Sequence, residues 1–146
     1  MQSTHLRDLI EAASVVAWRA AAAIVEIYQR PDHGVEAKAD ESPLTAADMA
    51  SHHLLQAGLQ ALDPSIPVLS EESDPAAIAD RRQWSRLWLI DPLDGTREFV
   101  SRNGQFCICI ALIEQGEAVG GIVLKPVGSE LYRAYRGGGA ELLDAE

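Results

Sequence analysis

The sequence predicts an α+β fold in which two N-terminal helices pack on a mostly antiparallel sheet. Apolar residues recur at helical spacing in the first third of the chain. About five or six short apolar segments separated by turn residues follow, and Gln115-Gly116-Glu117 is a hairpin signal between two of them. Helices followed by a run of strands indicate segregated layers rather than alternating βαβ units.

The first helix is expected over residues 4–29. Thr4 is the candidate N-cap, and Pro31 and Gly34 are expected to end the helix. The apolar positions form one face of a buried helix: Leu6, Leu9, Ile10, Ala13, Val16, Ala17, Ala20, Ile24 and Ile27.

A second helix is expected to start at Thr45. The segment Thr45-Ala-Ala-Asp48 resembles a capping box with Asp in the last position. Apolar residues continue this pattern to Asp63-Pro64, where the helix is expected to end.

The strand-like segments are residues 66–69, 87–90, 106–114, 119–124, 131–135 and 140–143. A sheet with helices on one face leaves its other face or an edge strand open. Cys107 and Cys109 alternate on one strand, so both point to the same face. A disulfide between them would be strained, and we expect reduced core thiols, which suit the cytoplasm.

Composition excludes several function classes. The 146-residue chain carries 22 acidic and 12 basic residues, a net charge of −10. This charge argues against general nucleic-acid binding and against docking on anionic lipid. The apolar run at residues 12–27 is interrupted by Trp18, Arg19 and Glu26, so it predicts a buried helix rather than a membrane span, and no signal peptide is visible.

The most informative segment runs from Trp88 to Thr96, where an apolar strand leads into Asp91, Pro92, Asp94 and Gly95. Two carboxylates three residues apart across a Pro-fixed turn can converge on one point. Hard cations such as Mg²⁺ prefer oxygen ligands of this kind. The segment therefore predicts a divalent-metal site for phosphate chemistry.

Other oxygen donors extend this hypothesis. Asp91 and Glu71 are expected to share one ion, and Asp94 to hold a second that Asp91 bridges. The carbonyl of Leu93 is a further candidate ligand. Thr96 near Asp48 is a candidate pair to orient and deprotonate the attacking water.

Each of these residues also has an ordinary structural explanation. Residues 91–96, which we call the acidic segment, are compatible with a simple Asp-Pro/Asp-Gly turn, and Asp48 with a helix-start residue. Glu71-Glu72 and Lys38 are typical of exposed surface, and His52 and His53 face different directions on a helix. The spacing of Asp91 and Asp94 does not fit an EF-hand loop. It also differs by one extra residue from the Asp-x-Asp-Gly-Thr pattern of aspartyl phosphatases.

Three motifs in order resemble the inositol monophosphatase superfamily of Mg²⁺-dependent, lithium-sensitive phosphomonoesterases. They are residues 38–48 (KADESPLTAAD), Ser70-Glu71-Glu72 and residues 91–96 (DPLDGT). Residues 40–45, 66–72 and 96–106 are more similar still to its CysQ branch, the 3′(2′),5′-bisphosphate nucleotidases. The resemblance implies the first domain of a layered sugar-phosphatase-like fold.

The resemblance also implies roles for individual residues. Glu71, Asp91 and the Leu93 carbonyl would hold one Mg²⁺, and Asp91 with Asp94 would help hold a second, in a family site of two or three ions. Thr96 and Asp48 would activate the water, with Glu71 assisting. The backbone of Gly95 and Thr96 would face the substrate phosphate.

The implied reaction is removal of the 3′-phosphate from 3′-phosphoadenosine 5′-phosphate during sulfate assimilation. The expected partner is a small phosphorylated nucleotide, and the expected location is the cytoplasm or the inner-membrane surface. An inositol or sugar-phosphate monophosphatase of the same superfamily is the alternative enzyme.

Family members are roughly twice as long, and their second half carries a Trp-Asp motif that completes the second metal site. This chain has Trp18, Trp84 and Trp88, all before the acidic segment. Residues 1–146 are therefore expected to form an N-terminal metal-binding phosphatase domain without the family's C-terminal domain. A homodimer, or a non-catalytic half that needs a second domain, stays open.

Overall fold

The computed structural model describes residues 2–30, 42–70, 72–76 and 78–144. Two long helices, α1 (Gln2–Tyr28) and α2 (Pro43–Leu62), precede a six-stranded sheet. The remaining elements are β1 (Val68–Ser70), a 3-10 turn (Arg81–Gln83), β2 (Arg86–Asp94), α3 (Thr96–Ser101), β3 (Cys107–Glu114), β4 (Glu117–Lys125), β5 (Glu130–Tyr135) and β6 (Gly139–Asp144). The α+β class predicted from the sequence is confirmed.

The strands lie in the sheet in the order in which they occur along the chain. β1 pairs parallel with β2, and every later pair is antiparallel. The predicted hairpin joins β3 to β4, with φ of 52° at Gln115 and 79° at Gly116. Two positive φ angles are typical of the type I′ turn, whose twist matches that of the flanking strands.

Both helices begin earlier than predicted. Because α1 starts at Gln2, Thr4 lies inside the helix and is not its N-cap. The N-cap of α2 is Ser42, whose hydroxyl accepts a hydrogen bond of 3.1 Å from the backbone N–H of Thr45. Pro43 occupies the first turn, where its missing N–H costs nothing. The capping box predicted at Thr45 and Asp48 is therefore wrong. Pro31 and Gly34, the predicted end of α1, lie outside the described residues.

The core lies between the helices and one face of the sheet, which we call the inner face. α1 packs on α2, β4 and β5, and α2 packs on β1 and β2. The nine apolar positions predicted for α1 are all buried. On the sheet, alternate residues such as Trp88, Ile108, Ile110 and Leu112 are buried against the helices.

The opposite face of the sheet, which we call the outer face, is apolar and open. Its large side chains are between 43% and 51% exposed: Leu89, Val123, Tyr132 and Leu142. The strand register aligns one row across five strands: Asp91, Cys109, Val123, Tyr132 and Leu142. The expected open face is thus observed. At one end of this face lies Asp91, an acidic residue of the predicted metal site.

No helix among the described residues combines the length and apolarity that crossing a bilayer requires.

α1 and α2 approach closely at Gly58. A Cβ atom at this position would lie 2.5 Å from Cγ1 and 3.0 Å from Cγ2 of Val16. Val16 is buried and, being β-branched, has little rotamer freedom in a helix. The absence of a side chain at Gly58 therefore sets the distance between the two helices.

We expect Gly58→Ala to lower the free energy of unfolding by about 1 kcal/mol. Overpacking costs about 1–3 kcal/mol, while Ala is favoured over Gly in a helix by about 1 kcal/mol. Urea denaturation measures the net effect. In the Val16→Ala background the same substitution should stabilise the protein, since the clash is gone. An equal loss in both backgrounds would contradict the packing explanation.

A buried hydrogen bond joins α2 to β2. The hydroxyl of Ser51, which is fully buried, donates to the carbonyl of Pro92 over 2.8 Å. This carbonyl lies between the two predicted metal-binding aspartates, so the bond fixes the position of α2 relative to the acidic segment.

Ser51→Ala should destabilise the protein by about 1–3 kcal/mol because it leaves a buried carbonyl without its donor. Ser101→Ala is the matched control: this hydroxyl also donates to a backbone carbonyl, that of Arg97, but on an exposed surface. It should change stability by less than about 0.5 kcal/mol. Thermal or urea unfolding of both variants measures the difference, and similar losses would argue against a special role for the buried bond.

Candidate active site

The parallel pairing of β1 with β2 gathers the site at one edge of the sheet. Ser70, the last residue of β1, lies opposite Ile90, which directly precedes Asp91. Beyond Ser70, the backbone N–H of Glu72 donates to the Ser70 hydroxyl over 3.2 Å, and the Glu72 side chain is exposed. Glu71 lies outside the described residues, and its role as a ligand stays a prediction.

The two aspartates lie within β2 rather than in a turn after it, which corrects the expected element boundary. Asp91 pairs with Cys109 and Asp94 with Cys107, with a register shift between them. Pro92 lies in this irregular stretch, where a residue without an N–H is tolerated in a sheet. The N–H of Leu93 donates to Oδ1 of Asp91 over 3.3 Å. Asp91 is half-buried and Asp94 is exposed.

Gly95 turns the chain out of β2 and into α3. Its φ is +98°, and a Cβ atom there would lie 3.0 Å from the carbonyl oxygen of Gln105 and 3.1 Å from Cα of Phe106. Both the conformation and the space require glycine. Thr96 follows as the exposed first residue of α3. The predicted order of acids, glycine and hydroxyl along one edge is therefore present.

Three aromatic rings hold α3 against the rest of the protein. Ring centroids are 5.2 Å apart for Tyr28 and Phe99, 5.0 Å for Tyr28 and Phe106, and 5.2 Å for Phe99 and Phe106. The guanidinium of Arg102 lies 5.2 Å from the centroid of the Tyr28 ring. This cluster positions the segment that carries Thr96, and its packing was not predicted. Phe99 and Phe106, one on each side of Gly104, were the available signal.

Asp48 lies on the side of α2 that carries Ser51. It precedes Ser51 by three residues, so the two lie on the same face of the helix. Since Ser51 bonds to Pro92, this face is turned to the acidic segment. α2 also contacts α3, which begins at Thr96. The structure thus brings together α2, β2 and α3, the elements that carry Asp48, Asp91 and Thr96, as the proposed cooperation of these residues requires.

The two cysteines border this site. They are free and half-buried on the outer face, with Sγ atoms 3.7 Å apart. The prediction that they are core thiols is wrong, because the alternate residues Ile108 and Ile110 occupy the inner face. Burial is the main cause that raises the pKa of Cys107. Burial, the adjacent Cys107 thiol and the two aspartates raise the pKa of Cys109 to about 12.

The two histidines follow Ser51 on α2. His52 is buried, and its pKa is lowered by burial first and then by His53, an effect that Glu72 partly opposes. Together with Glu72 and Trp84 these residues line a separate recess. Neither Asp91 nor Asp94 is among the described residues that line it.

The donor set at the acidic segment fits a hard divalent cation. Asp91 and Asp94 supply carboxylate oxygens from nearly adjacent positions of one strand, and the chain between them supplies backbone carbonyls. Oxygen ligands of this kind are the ones that Mg²⁺ selects. The ion pairs among the described residues do not involve Asp94, which leaves its carboxylate available.

Known proteins share this architecture. The chain is 48% identical over 131 residues to a protein named 3′(2′),5′-bisphosphate nucleotidase CysQ from Salmonella typhimurium; the match covers 88% of this chain and 52% of the relative. A protein of the same name from Escherichia coli K12 is 45% identical over 130 residues, which cover 88% of this chain and 52% of the relative. The chain spans about half the length of these curated relatives.

A solved structure agrees with the sequence matches. The crystal structure of CysQ from Bacteroides thetaiotaomicron superposes with a TM-score of 0.82 at 43% identity, covering 93% of this chain and 49% of that chain. It is described as a bacterial member of the inositol monophosphatase family. Residues 5–145 match the sequence profile of the same family. The chain therefore belongs to the inositol monophosphatase family.

Proposed function

We propose that this chain is the N-terminal half of a Mg²⁺-dependent phosphomonoesterase. The observation that carries the proposal is the placement of Asp91 and Asp94 on β2, beside the end of the parallel strand β1 and on either side of Pro92, whose carbonyl accepts a hydrogen bond from α2. The substrate that the similarity favours is 3′-phosphoadenosine 5′-phosphate, which would be hydrolysed to AMP and phosphate. This substrate is inferred from relatives named 3′(2′),5′-bisphosphate nucleotidase.

In this proposal Glu71, Asp91, the Leu93 carbonyl and Asp94 hold the metal ions. Bound Mg²⁺ supplies Lewis-acid stabilisation of the charge that develops on the phosphoryl oxygens. Two or three ions, inhibition by lithium and a role in sulfur assimilation in the cytoplasm belong to the same proposal.

The protein residues orient the reaction. The Thr96 hydroxyl positions the attacking water, and Asp48 behind it accepts the proton, with Glu71 assisting. The backbone at Gly95 and Thr96 faces the phosphate. The irregular stretch of β2 at Pro92 and the aromatic cluster hold these groups on rigid backbone, which reduces the entropic cost of aligning water and phosphate.

A second domain completes the enzyme in our proposal, and the outer face is where it packs. The relatives continue for about as many residues again as this chain matches. An exposed apolar surface that spans several strands marks an interaction site. Because the row from Leu142 to Asp91 crosses this surface, a domain that covers it would also close over the acidic residues.

The alternatives predict different results. An inositol or sugar-phosphate monophosphatase would prefer inositol 1-phosphate to 3′-phosphoadenosine 5′-phosphate when both are assayed side by side. A non-catalytic half would bind its partner domain without phosphate release. A homodimer through the outer face would show twice the monomer mass in solution without a second domain.

We expect the 146-residue chain alone to release little phosphate with Mg²⁺, and activity to rise when the second half of a relative is supplied as a separate polypeptide. Val123→Glu with Leu142→Glu should prevent this gain, because charges would be buried at the interface. Val15→Glu, on the exposed side of α1, is the control and should leave the gain intact. Phosphate release and co-elution measure both effects, and full activity of the chain alone would contradict the two-half proposal.

In the completed enzyme, Asp91→Asn and Asp94→Asn should each lower kcat/KM by at least about 10³-fold, which corresponds to roughly 4 kcal/mol of transition-state stabilisation. The physical reason is loss of a charged oxygen ligand from the metal site. Asp80→Asn, at an exposed position before the 3-10 turn, should retain activity. Phosphate release across a Mg²⁺ series is the measurement. Near-normal turnover of Asp91→Asn would show that the site is assigned to the wrong residues.

A further inference from the structure

We propose that Cys107, Cys109 and Asp94 form a binding site for a thiophilic divalent cation of the Zn²⁺ class. The two thiols and this carboxylate offer ligand atoms that all lie within 4.8 Å of one another. Within the part of the chain that the structure describes, no other set of three Cys, His, Asp or Glu side chains meets this condition.

The spacing of the sulfur atoms suits tetrahedral coordination. With Zn–S bonds of about 2.3 Å, two thiolates at the tetrahedral angle lie about 3.8 Å apart. The observed distance between Sγ of Cys107 and Sγ of Cys109 is 3.7 Å. The two side chains point to the same face because they are two residues apart on one strand. Binding of a cation by both thiolates therefore requires little movement of β3.

The third ligand comes from the neighbouring strand. Asp94 pairs with Cys107 across the antiparallel β2–β3 ladder, so its carboxylate and the thiols share the outer face. Zinc accepts carboxylate oxygen as well as thiolate sulfur, and three protein ligands leave one position for water. Cys₂Asp is thus a reasonable open site for zinc.

The chemistry of sulfur separates this site from the proposed magnesium site. Thiolates select soft or borderline cations, whereas Mg²⁺ takes oxygen ligands. Binding replaces the two thiol protons, which pass to solvent, by two metal–sulfur bonds, and no electron is transferred. In the 146-residue chain, the half-buried thiols and the exposed carboxylate allow a cation to enter from solvent.

A regulatory consequence rests on the proposed function. Asp94 would serve both sites, so a zinc ion held by the thiols would withdraw this carboxylate from the magnesium ligands. We expect micromolar Zn²⁺ to inhibit phosphate release in the completed enzyme, with less inhibition when both cysteines are replaced by serine.

The binding test does not require activity. The 146-residue chain is titrated with Cd²⁺, a thiophilic probe, in a calorimeter and by ultraviolet absorption of the cadmium–thiolate bond. One equivalent should bind with a thiolate absorption band. Cys107→Ser and Cys109→Ser should each weaken binding at least tenfold, and the double variant should lose the band. Asp94→Asn should weaken binding by a similar factor but keep the band.

The control is His53→Gln, an exposed position outside the cluster, which should bind Cd²⁺ like the original chain. Circular dichroism checks that each variant is folded. If a cysteine variant does not fold, alkylation of the original chain gives the answer, since the chain has only two cysteines. Bound Zn²⁺ should slow their alkylation at least tenfold.

Unchanged Cd²⁺ affinity in the folded double cysteine variant would overturn the site, as would alkylation that Zn²⁺ does not slow. Unchanged affinity in Asp94→Asn would overturn the three-ligand arrangement. None of these outcomes depends on phosphatase activity. Failure of the proposed function and failure of this site are therefore distinguishable.

Discussion

The pairing of β2 with strands on both sides is the constraint on which the site depends. On one side the parallel strand β1 ends beside Asp91. On the other side β3 is antiparallel and aligns Cys109 and Cys107 with the two aspartates. The hydrogen bond from Ser51 to Pro92 then fixes α2 above the same segment. A slip of β2 by one residue would move the side chains of Asp91 and Asp94 to the opposite face.

The two faces of the sheet have different roles. The inner face is buried against α1 and α2 and forms the core. The outer face continues the same sheet with apolar side chains that remain open. Because Asp91 and the thiols lie at one end of this face, closure of the outer face and completion of the site would be one structural event. Stability and activity would then depend on different surfaces of the same sheet.

Hard and soft ligands lie side by side at this edge. Carboxylates and carbonyls of β2 suit the cation that the proposed reaction would use, while the thiols of β3 suit one that would compete with it. Asp94 belongs to both sets. Competition between cations at this position would follow from ligand chemistry and strand register, without a change in fold.

The sequence by itself determined the class of fold, the order of elements and the acidic motif. Periodicities of 3.6 and 2 residues and the turn residues are local signals, so the buried face of α1, the strands and the Gln115-Gly116 turn could be predicted. At the start of α2 the sequence offered two N-cap candidates. The structure uses Ser42, followed by Pro43 in the first turn, and not Thr45. The sequence did not predict that both aspartates lie inside β2. The strand continues through Pro92 because its register with β3 shifts between Asp91 and Asp94, and this shift depends on the pairing of the two strands.

Only the tertiary structure decided what faces the acidic residues. The approach of Cys107 and Cys109 to Asp94, the bond from Ser51 to Pro92 and the cluster of Tyr28, Phe99 and Phe106 all join residues from different elements. Such contacts depend on strand register and helix position, which are set by the packing of the whole core. The sequence therefore identified the candidate metal-binding residues, and the sheet determined which other side chains share their environment.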